Sequence, residues 1–197
     1  MKIVQEVSLI SKGSFEESQE WIAIQNEIRS AIELIVWPPG ASNFTINPTR
    51  HGNGVKTIKN ACMTALKENF GWQLETRITY ATRAPGRIDA TKILDNHLFA
   101  LEWETGNISS SHRAINKLVL GLLRGVLLGS ALVIPSRRLY PYLTDRIGNF
   151  EELEPYFDVW RAVAIQEGFL VIFVVEHDAV DSSVPRILKG TDGRALI

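Results

Sequence analysis

The hydrophobic pattern of the chain alternates between helical and strand periods. Over residues 15–35, Trp21, Ile22, Ile24, Ile28, Ala31 and Ile32 recur at helical spacing, which predicts an amphipathic helix near the start. WPPGASNFTINPTRHGNG, residues 37–54, is rich in Pro, Gly and Asn and reads as a long loop holding one short extended stretch, NFTIN. VKTIKNACMTALKENFGW predicts a second helix ending near Gly71, LETRITYA (74–81) alternates like a strand, and RAPGRIDATKI (83–93) makes a turn followed by the start of a strand or helix. In FALEWETGN (99–107), Leu101 and Trp103 face one way as core while Glu102 and Glu104 face the other, as in a buried strand.

A helix follows at once. From Ser109 to about Leu123, Ile115, Leu118, Val119 and Leu122 form its apolar face, with His112, Arg113, Asn116 and Lys117 elsewhere around it and Asn107 or Ser109 as its cap. SALVIPS (130–136) is a short strand, FEELEPYFDVWRAVAIQE (150–167) contains an acidic helix, and FLVIFVVE (169–176) has the β-branched and aromatic content of a central strand. The closing VPRILKGTDGRALI reads as loop. Strands alternating with helices predict an α/β fold, a central mixed β-sheet flanked by helices.

Composition narrows the setting. At 197 residues and 45% hydrophobic content, with no repeat or internal shift in composition, residues 1–197 are expected to form a single domain. The lone cysteine, Cys62, allows no intrachain disulfide and fits a reducing, cytoplasmic setting. The first residues lack the apolar run of a secretion signal. The longest apolar run, 118–135, is interrupted by Arg124 and glycines, which suits a buried helix and strand and implies no membrane. Net charge is only −1, yet residues 48–92 carry eight basic and three acidic side chains and 95–146 six and four, whereas 1–34 carry three and six and 147–178 one and seven. A basic middle between acidic ends points to an anionic partner, provided chemistry is found within that middle.

Acids supply that chemistry. Positions i and i+2 of a strand share a face, so Glu102 and Glu104 project together, and Asp89 can join them from the neighbouring turn. Crowded carboxylates raise one another's pKa unless a cation neutralises them, and a hard divalent ion needs only a few such oxygens. Glu-x-Glu on a solvated edge strand is the plainer reading of the same spacing. With a metal the natural reaction is phosphodiester hydrolysis; paired carboxyls without one suit glycoside hydrolysis. Beside the acids stand Asn107, Ser109 and Arg113 at a helix start, and LTDRIGN sets the acceptor Asp145 next to the donor Arg146. These are residue types that read base edges in the major groove. His177 in EHDAVD, like His51, His97 and His112, shows no metal-ligand pattern, and Cys62 lies mid-helix among apolar neighbours.

EWETGNISSSHRAINKLVLGL, YLTDRIGNFEELEPYF and VPRILKGTDG resemble the corresponding blocks of the BamHI-type type II restriction endonucleases, with weaker likeness in WPPGASNFTIN and NGVKTIK. The resemblance runs from about residue 37 to 193 and implies the restriction-endonuclease-like, PD-(D/E)xK-type fold. It further implies a homodimer that cleaves double-stranded DNA at the palindrome GGATCC with Mg²⁺, leaving 5′ overhangs, and a companion DNA methyltransferase in the host. By the same likeness Asp89, Glu102, Glu104 and Glu75 match the catalytic acids, with Asp89, Glu102, Trp103 and Glu75 as the metal set and Glu104 as general base or water-orienting group. Asn107, Ser109, Arg113, Asp145 and Arg146 match major-groove contacts, Lys59 a lysine near the DNA, and Gly190 and Asp192 minor-groove positions. In the wider superfamily a lysine usually stands where this chain has Glu104, and the intervals from Glu75 to Asp89 and from Asp89 to Glu102 are shorter than in BamHI. The remaining alternative is a sequence-specific DNA-binding protein that does not cut, its acids degenerate.

Overall fold

The computed structural model describes residues 1–78 and 85–190. Six strands form one mixed sheet in the order β1-β7-β6-β5-β4-β3: β1 (Lys2–Lys12), β3 (Gln73–Arg77), β4 (Arg87–Leu94), β5 (His97–Trp103), β6 (Leu127–Pro135) and β7 (Gly168–Glu176). The central β5, β6 and β7 run parallel, while β1, β4 and β3 pair antiparallel outside them. A parallel pair needs a crossover, and between β5 and β6 the apolar run supplies it as helix α3 (Ile108–Leu123), which turns directly into β6.

Both sheet faces are covered, as the near-continuous apolar sequences of β6 and β7 require. Phe99, Leu101 and Trp103 of β5 and Phe169, Val171 and Phe173 of β7 pack with the residues of α1 (Gln19–Glu33) and α2 (Lys56–Phe70). Ala100, Leu170, Ile172 and Val174 face the other way, toward Ala114, Ile115, Leu118 and Leu122 of α3 and toward Phe150, Leu153, Phe157 and Trp160. Gly71 ends α2 with φ 72°, the left-handed conformation a helix C-terminus favours. The extended stretch expected at NFTIN is β2 (Thr45–Ile46), which pairs in parallel with β8 (Ala179–Val180).

Several sequence expectations are revised. The first twelve residues, read without an element, form the edge strand β1. The acidic helix of 150–167 is broken: α4 (Phe150–Leu153) gives way to a 3-10 turn at Glu154–Tyr156 and then to α5 (Phe157–Arg161). Pro155, which cannot donate an amide hydrogen, sits in that turn. Asp89 belongs to strand β4 and not to the turn before it. The strand expected over 74–81 is described only through Ile78, and Asp192 lies outside the described residues. Among the described residues no helix is long and apolar enough to cross a membrane.

Candidate functional site

Glu102 is the next-to-last residue of β5, an internal strand between β4 and β6, so the solvated edge-strand reading of Glu-x-Glu does not apply. By strand alternation it faces α3 with Ala100 and is only 2% exposed. Asp89 lies on β4, whose neighbours Ala90 and Thr91 pair with Leu101 and Ala100, which brings Asp89 beside the end of β5. Its Oδ2 accepts the Trp103 backbone N–H at 2.8 Å, a bond that ties the two acid-bearing strands together. Glu104, just past the strand, is held by its own N–H donating to the Val133 carbonyl at 2.9 Å.

Two lysines enter this cluster. Lys59 of α2 donates from Nζ to Asp89 Oδ1 at 2.6 Å, so the lysine assigned to DNA contacts stands among the acids. Lys117 of α3 pairs with Glu102 Oε1 and donates to the Arg87 carbonyl at 2.8 Å. Burial, and then the Asp89 carboxylate, push the Glu102 carboxyl up to about 8, against the opposing pull of Lys117. Glu104 is held above the usual carboxylate range by burial and Asp89, opposed by Lys59, Lys117 and Arg113.

As these side chains stand, no group of three His, Cys, Asp or Glu among the described residues encloses a metal; the ammonium groups are on the carboxylates instead. The donor set nevertheless suits a hard divalent ion. It consists of carboxylate oxygens, and burial together with the Asp89 carboxylate raises the pKa of both Glu102 and Glu104, an effect that a bound cation opposes. Trp103 buries its indole in the core, so only its main-chain carbonyl can serve as a ligand. Glu75 is exposed on the edge strand β3, between the pairs Leu74–Ala90 and Thr76–Ile88 and therefore at the register position opposite Asp89, with a left-handed φ of 53°.

The residues expected from the sequence to read DNA gather around the start of α3. Asn107 is its N-cap, its Oδ1 accepting the Ser110 N–H at 3.0 Å. The TDRIGN loop is drawn against this helix end by the Gly148 N–H, which donates to the Gly106 carbonyl at 2.8 Å. A Cβ on Gly148 would stand 3.0 Å from Ile108 Cα and from Ser111 Oγ, so the approach is too close for a larger residue. Asn107, Ser109, Asp145 and Arg146 thereby line one open cleft of about 510 Å³, together with Arg50, His51 and Tyr140. Asp145 and Arg146 are more than half exposed and pair loosely with each other at 3.7 Å. Arg146 has φ 65°, so among the described residues three of the four non-glycine positive φ values fall at Glu75, Arg146 and its cleft neighbour His51. Arg113, one turn beyond Ser109, faces an adjoining cleft lined by His112, Asn116 and Lys117.

Gly190 does not join that cleft. The segment before it crosses Gly54, whose N–H donates to the Ile187 carbonyl at 2.8 Å, and Gly190 lies near Lys56 at the start of α2. His177 is buried beside Tyr142, and Cys62 is fully buried with its thiol pKa pushed up by burial, so neither enters the site. Sequence reasoning missed Lys117, Arg50 and His51. Only for Lys117 was there a signal, its place one turn past Arg113 on the helix that follows the acids.

A mixed sheet thus brings acids from adjacent strands together at the foot of a helix whose start carries amide, hydroxyl and guanidinium groups. The family model for restriction endonuclease BamHI matches residues 1–194, and the chain belongs to that family. Type II restriction enzyme OkrAI of Oceanobacter kriegii is 53% identical over 197 residues, 100% of each chain, which makes it a relative and not the same protein. Type II restriction enzyme BamHI of Bacillus amyloliquefaciens is 40% identical over 177 residues, 85% of this chain and 80% of its own. The crystal structure of restriction endonuclease BglII complexed with a DNA 16-mer matches with a TM-score of 0.60 at 10% identity, covering 96% of this chain and 90% of that one; the likeness is one of fold. The chain is accordingly a DNA-cutting hydrolase of a family that uses divalent metal.

Proposed function

We propose that the protein acts as a homodimer that cuts duplex DNA at GGATCC by Mg²⁺-dependent phosphodiester hydrolysis, leaving 5′ overhangs. One observation carries this reading: the acids end β5, the reading residues begin α3, and only the turn around Gly106 lies between them. Asp89, Glu102 and the Trp103 carbonyl would hold the ion, with Glu75 approaching from β3. Bound there, Mg²⁺ would supply positive charge at the scissile phosphate and make water there a stronger acid. Glu104, its carboxyl above the usual range, orients the attacking water and takes its proton. Asn107, Ser109, Arg113, Asp145 and Arg146 contact base edges in the major groove, with donor and acceptor types that match G·C and A·T pairs. Gly190 and Asp192 serve the minor groove. A cytoplasmic location and a companion methyltransferase belong to the same reading.

A palindrome is read economically by a two-fold protein with one active site per strand. Exposed apolar side chains on α3 and on the 154–161 segment, which packs on α3 through His112–Tyr156 and Asn116–Trp160, support such a dimer. Leu123, Tyr156 and Val159 are 48%, 49% and 65% exposed there. Leu122, on the apolar side of α3, is buried in the core and takes no part in that face.

The direct test of the catalytic assignment is Glu102→Ala. It should abolish cutting while leaving specific binding of a GGATCC duplex in gel shift; full cutting by this variant would falsify the site.

A further inference from the structure

Lys117 belongs to no role assigned so far. It lies one helical turn beyond Arg113 and two beyond Ser109, so the three share a face of α3. Its side chain is 11% exposed, its ammonium pairs with Glu102 Oε1, and it donates to the Arg87 carbonyl at 2.8 Å. One cation thus joins the reading helix to both acid-bearing strands, β4 and β5. Lys59 holds Asp89 from the opposite face of the sheet. Two ammonium groups among Asp89, Glu102 and Glu104 carry the charge of one divalent ion. A metal arriving at Glu102 therefore meets the Lys117 ammonium as a like charge across a few ångströms of poorly solvated space, where repulsion is strong. α3 is one uninterrupted helix of 16 residues, so a displacement of its DNA-reading end is transmitted to Lys117.

We propose that Lys117 is a positioning residue that couples base reading to metal binding. In the DNA-free protein it holds Glu102 and competes with the metal; when the reading end of α3 docks on the cognate site, it releases the carboxylate. The inference rests on the DNA-reading role proposed for α3. By linkage the coupling is reciprocal, since DNA that tightens metal binding must be tightened by metal in turn.

The test is the Ca²⁺ affinity of the full chain by isothermal titration, alone and with a GGATCC duplex, for the parent and Lys117→Met. In the parent the cognate duplex should raise Ca²⁺ affinity by roughly tenfold or more. In Lys117→Met the DNA-free affinity should be tighter and the enhancement by DNA several-fold smaller, while Lys117→Arg keeps the parent's enhancement. Equal enhancement in the parent and the Met variant overturns the proposal, as does a parent that binds the duplex with no gain in Ca²⁺ affinity. If Lys117→Met does not fold, Lys117→Gln is read in the same way. Failure of the underlying reading is seen separately: cognate and scrambled duplexes then bind the parent equally before any metal is added.

Discussion

At the scale of single residues, Glu102 sets the character of the metal-free protein. It is a carboxyl buried at 2% exposure, and burial outweighs its lysine partner, so its pKa rises from 4.5 to about 8 in the fold. A raised pKa means that the folded chain binds a proton over this window and the unfolded chain does not. Its stabilising contribution is therefore complete below about 4.5 and lost as pH rises through about 8. In EDTA, Glu102→Gln should flatten this slope and be more stable than the parent at pH 8, by on the order of 3–5 kcal/mol. Urea unfolding at pH 5 and pH 8 measures it; a variant less stable than the parent at pH 8 would mean that the Lys117 ion pair outweighs burial. Glu102 and Glu104 were legible because a strand puts i and i+2 together, and Asp89 because its RID block matches the family. Lys117 was not, because only the packing of α3 back over the sheet brings it to Glu102.

The elements show where the period of the sequence carries information and where it is lost. α1, α2, α3, β5 and β7 were legible because each keeps one period over enough residues to mark a buried face. β1 was not: its register against β7 shifts between Ile3 and Gln5 and again between Ser8 and Ile10. Such bulges break the alternation of an edge strand that is charged and half exposed. The helix expected over 150–167 kept its apolar contacts through Phe150, Leu153, Phe157 and Trp160 but lost continuity at Pro155. At the β5–α3 junction, Asn107 caps α3 and also lines the cleft proposed to read DNA. Asn107→Ala should cost about 1 kcal/mol in urea unfolding through the lost cap. Asn107→Ser, which restores a cap but not an amide, should recover stability without recovering specific DNA binding; if Ser restores both, the amide reads no base.

For the whole molecule, the charge pattern resolves into geometry. The basic middle of the chain supplies Arg50, Lys59, Arg113, Lys117 and Arg146 to the clefts proposed to read DNA and to the acid cluster. Part of the acidic 147–178 segment forms the 154–161 edge proposed for the dimer. Val159→Arg should place a charge in that interface and shift sedimentation at micromolar concentration from dimer to monomer, with the fold intact by circular dichroism; a parent that sediments as a monomer contradicts the dimer at once. Two-fold cutting of a palindrome is an expectation of the family resemblance alone, since no pattern within one chain specifies a partner.

The central claim is that acids and base readers at one strand-to-helix junction make a metal-dependent, site-specific nuclease. The most direct measurement is a digest of a plasmid carrying a single GGATCC site, with Mg²⁺, with Ca²⁺ and with EDTA, followed by sequencing of the ends. Cleavage is expected with Mg²⁺ only, at that site only, with 5′ overhangs. Cutting that persists in EDTA, or cutting at another sequence, would contradict the claim.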